Sequence, residues 1–116
     1  MKTGWYIGRF QPFHKGHQAM IEKILEECEI CVVLIRGTKK SIDNPYDAHD
    51  IEEKIWEWTE KNDISHRVDT EVIDDKGADM TVYYGRKVGW DFKELKLDKE
   101  TEGISASKIR DDEYHK

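Results

Sequence analysis

Residues 5–35 read WYIGRFQPFHKGHQAMIEKILEECEICVVLI, and this stretch decides the fold. Trp5, Tyr6 and Ile7 give a short apolar strand signal that ends at Gly8. From Lys15 to Glu27 the apolar residues change period: Met20, Ile21, Ile24, Leu25 and Cys28 fall on one face of an amphipathic helix. Ile30 to Ile35, ICVVLI, is a continuous, largely β-branched run of the kind buried on both faces of a parallel sheet. The first three elements are therefore expected to be β-α-β.

Working outward, the polar stretch 36–45 reads as a loop over the end of the sheet. Residues 47–60 carry Ile51, Ile55 and Trp58 at helical spacing, with Pro45 and Asp47 as a helix start. Residues 67–73 alternate in part, and 80–84 and 92–97 are further strand candidates. Residues 104–113 open with serines and read as a capped terminal helix. No internal repeat, linker or low-complexity tract interrupts the chain. Strands alternating with helices over 116 residues predict one α/β domain, residues 1–116. It is expected to be three-layered and Rossmann-like, with a mostly parallel sheet and ligands at the carboxyl ends of its strands.

The surface charge excludes some classes. Nineteen basic against 25 acidic residues give a net charge of −6, which disfavours non-specific nucleic-acid binding. No apolar run approaches the roughly 20 residues of a membrane span, and the N-terminus has no signal-peptide core, so no membrane partner and a cytoplasmic location are expected. Cys28 and Cys31 lie on a helix-to-strand connection ill suited to a disulfide and read as reduced thiols.

The chemistry concentrates in Gly8-Arg9-Phe10-Gln11-Pro12-Phe13-His14-Lys15-Gly16-His17, between the first strand and the first helix. Backbone N–H groups and the helix dipole attract anions there. His14 and His17 stand three apart, so both imidazoles can serve one ligand, neutral or protonated, while Gly16 permits close approach to the backbone. Taken alone, His-x-x-His is more often an ordinary helix start. A zinc site drawing on His14, His17, Cys28 and Cys31 is a weaker competitor, because a whole helix separates the two pairs and Cys31 enters a buried strand.

GRFQPFHKGH resembles the HxGH motif of the cytidylyltransferase-like nucleotidyltransferase superfamily, above all the archaeal-type nicotinamide mononucleotide adenylyltransferases. Near the other end, Ile104-Ser105-Ala106-Ser107-Lys108-Ile109-Arg110 looks like the superfamily's ISxTxxR motif, with Ser107 for threonine. The resemblance implies that His14 and His17 contact a triphosphate and stabilise its transition state, assisted by Lys15. It further implies that Ser105, Ser107 and Arg110 hold the β- and γ-phosphates, and that Gly8, Arg9, Phe10 and Gly16 belong to the nucleotide site. The partners are then a nucleoside triphosphate, with a divalent cation such as Mg²⁺, and a phosphorylated small-molecule acceptor. The superfamily also implies a homo-oligomer.

Two features pull the branch in different directions. Asn44-Pro45-Tyr46-Asp47-Ala48 looks like the NPFTA segment of the adenylyltransferases, yet Asp50 and Ile51 stand where those enzymes have glutamate and arginine. Lys54 and Arg36 are the candidate replacements. Thr101-Glu102-Gly103-Ile104-Ser105 and the short chain resemble glycerol-3-phosphate cytidylyltransferases instead. Tyr83-Tyr84-Gly85-Arg86 ends a predicted strand on the expected base side, making Gly85 and Arg86 candidates for nucleotide contact. Trp56, Trp58 and Trp90 could stack on a ring, but aromatic residues at helical spacing are usually core, and Trp58 is assigned there. Adenylyl transfer to nicotinamide mononucleotide leads, ahead of cytidylyl transfer to a sugar- or polyol-phosphate and of a non-catalytic nucleotide-binding module. A kinase is disfavoured, since the chain lacks a G-x-x-x-x-G-K-[ST] loop.

Overall fold

A computed structural model describes residues 2–37, 41–42, 45–74, 83, 85 and 95. The expected β-α-β is there: β1 (Thr3–Gly8), α1 (Lys15–Glu27) and β2 (Ile30–Gly37). They are followed by α2 (Ala48–Lys61), a single 3₁₀ turn (Ser65–Arg67) and β3 (Val68–Asp74). The helix read over 15–27 has those same bounds. Asp47, read as part of the helix start, is the N-cap of α2, accepting a hydrogen bond from the His49 amide. The candidates at 80–84, 92–97 and 104–113 lie outside the described residues, save Tyr83 and Leu95.

The three strands form a parallel sheet in the order β1-β2-β3, with Thr3 opposite Ile30 and Cys31 opposite Val68. Because side chains alternate across a strand, Tyr6, Cys31, Val33, Ile35 and Val68 share one face. Cys31, Val33 and Ile35 are fully buried, and they pack with Ile21 and Ile24 of α1 and Ile51 and Ile55 of α2. Both helices therefore cover the same face. On the opposite face Leu34 is buried while Trp5 is 59% exposed, so among the described residues two layers, sheet and helices, are built. None of the described helices is long and apolar enough to cross a membrane.

The fit of α1 against the sheet depends on Gly4. A Cβ there would lie 2.7 Å from Ile24 Cγ2 and 3.1 Å from Cys28 Sγ. At the far side of the same helix, Arg67 reaches across from the start of β3. Its Nη2 donates to the carbonyls of Leu25 (2.8 Å) and Cys28 (3.0 Å), and its Nε to that of Glu29 (3.0 Å). Parallel β-α-β connections put the N-termini of α1 and α2 at the carboxyl edge of the sheet and their C-termini at the amino edge.

Candidate active site

The loop between β1 and α1 is held in one shape by three constraints. Gly8 ends β1 where a Cβ would come within 2.9 Å of Phe10 Cζ, so the Phe10 ring folds back over a position only glycine fits. Phe10 itself takes a left-handed backbone, φ 52°, which is costly for a bulky residue and is held here by burial of its ring to 3% exposure. Gln11, also 3% exposed, makes two hydrogen bonds with the backbone of one residue: Tyr46 N–H donates to Oε1 and Nε2 donates to the Tyr46 carbonyl, both at 2.9 Å.

The loop delivers two histidines to the start of α1. His14 is the N-cap, and His17 occupies the third helical position. Gly16 N–H donates to His14 Nδ1 at 3.0 Å, and His14 N–H donates to His17 Nδ1 at 3.1 Å. This is a capping box built from imidazoles, in the places where Ser or Thr and Glu or Gln usually stand. A nitrogen that accepts an N–H bond carries a lone pair, so each neutral ring keeps its proton on Nε2. Both imidazoles are thereby fixed in one tautomer, with Nε2–H as the group each can offer a ligand.

The surroundings keep the rings neutral. Their centroids are 3.8 Å apart and 22° from parallel. Phe13 stacks on His17 at 5.9 Å, and Phe10 meets it edge-on at 4.8 Å. Burial among these rings, with the neighbouring His14 adding to it, pulls the His17 pKa down to about 3. Burial also lowers that of His14. Tyr6, packed edge-on against Phe10, is pushed up to about 12, chiefly by burial. No acidic residue stands in the first turn of α1, while Glu26 and Glu27 close its last. Glutamates beside the negative end of the helix dipole are unfavourable, whereas the positive end is left without a carboxylate that would repel an anion.

Of the residues picked from the sequence, the structure brings Gly8, Arg9, Phe10, His14, Lys15, Gly16 and His17 into one continuous segment at the carboxyl edge. Gly16 is buried and Lys15 exposed, and the Phe10 ring belongs to the core. Gly85 is exposed, with nothing within 4 Å of a Cβ built on it. Arg86, Ser105, Ser107 and Arg110 lie outside the described residues. Trp58 packs against the core and against Phe13, and Trp56 donates from Nε1 to Thr70 Oγ1 at 2.7 Å. Ile51, in the place of the missing arginine, is 3% exposed and part of the core, while Lys54 pairs with Glu57 at 3.7 Å.

The competing zinc set does not assemble. Cys28 caps the C-terminus of α1 and Cys31 is the second residue of β2, at the edge opposite the histidines. Thirteen helical residues span about 20 Å, far beyond a shared coordination sphere. Both cysteines are free thiols. Sequence reasoning missed Gln11 and Tyr46, whose pairing crosses 35 positions.

The family model described as Cytidylyltransferase-like matches residues 5–112 of the chain. The chain belongs to the cytidylyltransferase-like family. Within it, the chain is 50% identical over 50 residues to a nicotinamide-nucleotide adenylyltransferase of Halobacterium salinarum, which covers 41% of this chain and 28% of that protein. It is 37% identical over 70 residues to the enzyme of that name from Methanosarcina mazei, covering 59% and 40%. Among solved structures, a bifunctional NMN adenylyltransferase/ADP ribose pyrophosphatase from Francisella tularensis superposes with a TM-score of 0.60 at 29% identity, covering 65% of this chain and 23% of that one. The same protein has been crystallised with AMP and a manganese ion. The matched part of the chain thus spans well under half the length of these cytidylyltransferase-like relatives, all three of which are named as adenylyltransferases.

Proposed function

We propose that this domain catalyses adenylyl transfer from ATP to nicotinamide mononucleotide. One non-bridging oxygen of the acceptor's phosphate attacks the α-phosphorus of the triphosphate. The bond from that phosphorus to the β-phosphate bridging oxygen breaks, and pyrophosphate leaves. The attacking oxygen is already anionic at neutral pH, so the protein needs neither a nucleophile nor a general base, and catalysis rests on positioning and electrostatics.

The observation that carries this reading is the imidazole capping box. It holds two neutral rings at the N-terminus of α1 with Nδ1 committed to the backbone and the proton on Nε2. Such groups donate to phosphate oxygens without the reorganisation that a protonated, solvated histidine would need. The residues implied at 105, 107 and 110 would hold the outer phosphates, and Arg86 is kept as a candidate on the base side. Among the described residues no three His, Cys, Asp or Glu side chains gather into a metal cage. The divalent cation, Mg²⁺, enters with the incoming nucleotide, a reading supported by the manganese ion and AMP with which the Francisella relative was crystallised. A homo-oligomer and a cytoplasmic location complete the proposal.

The test is a pyrophosphate-release assay with Mg²⁺ that crosses ATP and CTP against nicotinamide mononucleotide and glycerol 3-phosphate. Release with ATP and nicotinamide mononucleotide, with the dinucleotide as second product, is the expected outcome. Release with CTP alone overturns the donor, and no release from any pair overturns the activity.

A further inference from the structure

The two hydrogen bonds between Gln11 and Tyr46 join segments that leave the carboxyl ends of two neighbouring strands. Gln11 lies in the loop after β1, and Tyr46 immediately precedes Asp47, the N-cap of α2. The carboxamide acts as a piece of strand would, presenting an acceptor to the Tyr46 N–H and a donor to its carbonyl. With the side chain 3% exposed, this polar group is committed inside the protein rather than offered to a ligand. The histidines stand on the β1 side of this joint and the start of α2 on the other.

Resting on the adenylyl-transfer reading, we infer that Gln11 is a positioning residue for the acceptor. In-line displacement requires the attacking oxygen and the departing pyrophosphate on opposite sides of the α-phosphorus. With the triphosphate at the N-terminus of α1, we place the acceptor on the adjoining wall, the residues around Tyr46 that lead into α2. The Gln11–Tyr46 joint sets the distance between those two walls. An error of about 1 Å in such placement costs on the order of a hundredfold in rate. His14 and His17 are held in addition by their own bonds to the α1 backbone, which do not pass through Tyr46.

Gln11→Glu tests this because it is nearly isosteric and titratable. As a carboxylate it still accepts from the Tyr46 N–H but sets a negative oxygen against the Tyr46 carbonyl. Protonated, it regains a donor in the original place. Burial beside a carbonyl raises the pKa of such a group above the usual ~4.3 for glutamate. At pH 7.5 the variant is expected to show an acceptor KM raised about tenfold or more with the ATP KM changed less than about threefold. Its deficit relative to wild type should shrink as the pH falls to 5. Gln11→Leu should show the same split without recovery in acid. Wild-type constants in Gln11→Glu at every pH, or an equal rise in both KM values, overturn the inference. Hydrogen exchange of the Tyr46 amide gives a readout that needs no turnover: slow in wild type and faster in Gln11→Leu, which offers that N–H no acceptor. If wild type releases no pyrophosphate, the proposed activity fails while the exchange arm still decides the joint, and unchanged Tyr46 exchange in Gln11→Leu overturns it.

Discussion

The two ends of α1 solve the same problem in opposite ways. Each helix end leaves backbone groups without intrahelical partners. At the amino edge of the sheet, Arg67 supplies a permanent charge to the carbonyls of Leu25, Cys28 and Glu29, compensating a last turn that carries Glu26 and Glu27 but no basic residue. At the carboxyl edge, the N–H groups of His14 and Gly16 are taken by imidazole nitrogens where serine or glutamine would cap as well. One end is built for stability. The other spends its capping positions on side chains that can also do chemistry. The difference teaches that capping and the proposed catalysis are separable here, and substitution can pull them apart.

The largest expected effect is at His17. His17→Ala removes both the cap and the Nε2 donor, and turnover should fall on the order of a hundredfold or more, the scale for one transition-state donor. His17→Gln sharpens the point, because glutamine is the ordinary residue at that capping position. It should restore the melting temperature to within a degree or two of wild type and leave turnover low. If His17→Gln turns over like wild type, the ring has only a structural role.

Next comes Arg67→Ala, which removes three charge-assisted hydrogen bonds from partly exposed carbonyls. The expected loss is about 2 kcal/mol, on the order of 5–10 °C in melting temperature, with kcat at a permissive temperature unchanged. A fall in kcat as large as that of His17→Ala would mean that the two ends of α1 are not independent.

What the sequence made legible, and what it did not, divides along the same line. The hydrophobic periods of 5–35 and 47–60 are local, so the β-α-β order, the helix over 15–27 and the place of the histidines could be read directly. Contacts that join distant positions carry no local signal. Arg67 is 38 to 42 residues from the carbonyls it caps, and Gln11 is 35 from Tyr46. Phe10 is left-handed because its ring is buried against Gly8, not because phenylalanine favours that backbone. A first turn of α1 without an acid leaves no carboxylate at the positive end of the dipole, a local feature that the sequence carries.

The effect of pH separates the two ends next. The His17 pKa of about 3 lies below the unfolded value near 6.5, so below pH 6.5 the unfolded chain binds a proton that the folded one refuses. Stability contributed by the neutral ring is complete above pH 6.5 and is lost as the pH falls toward 3, by at most about 1.4 kcal/mol per unit. Urea melts of wild type and His17→Gln at pH 7, 6 and 5 should therefore converge or cross in favour of the variant as the pH drops. Arg67→Ala should run parallel to wild type. Parallel curves for His17→Gln would show that the imidazole is not held neutral by its surroundings.

The smallest effect concerns a second contrast between the edges, since among the described residues each holds one left-handed residue that is not glycine: Phe10 at φ 52° and Asp63 at φ 56°. Asp63 follows Asn62, the C-cap of α2, in the position where helices most often end on glycine. It is exposed, so its side chain contributes little burial to offset the strain. Asp63→Gly should then raise stability by a few tenths to about 1 kcal/mol, relief of the left-handed backbone slightly exceeding the added chain entropy of glycine. Phe10→Gly relieves the same backbone term but empties the pocket between Gly8, Tyr6 and His17, and a buried aromatic is worth about 3–5 kcal/mol on truncation. Opposite signs from one substitution at two equivalent backbone angles would show that strain at the carboxyl edge is retained by packing that orients His17. Equal signs would remove that distinction.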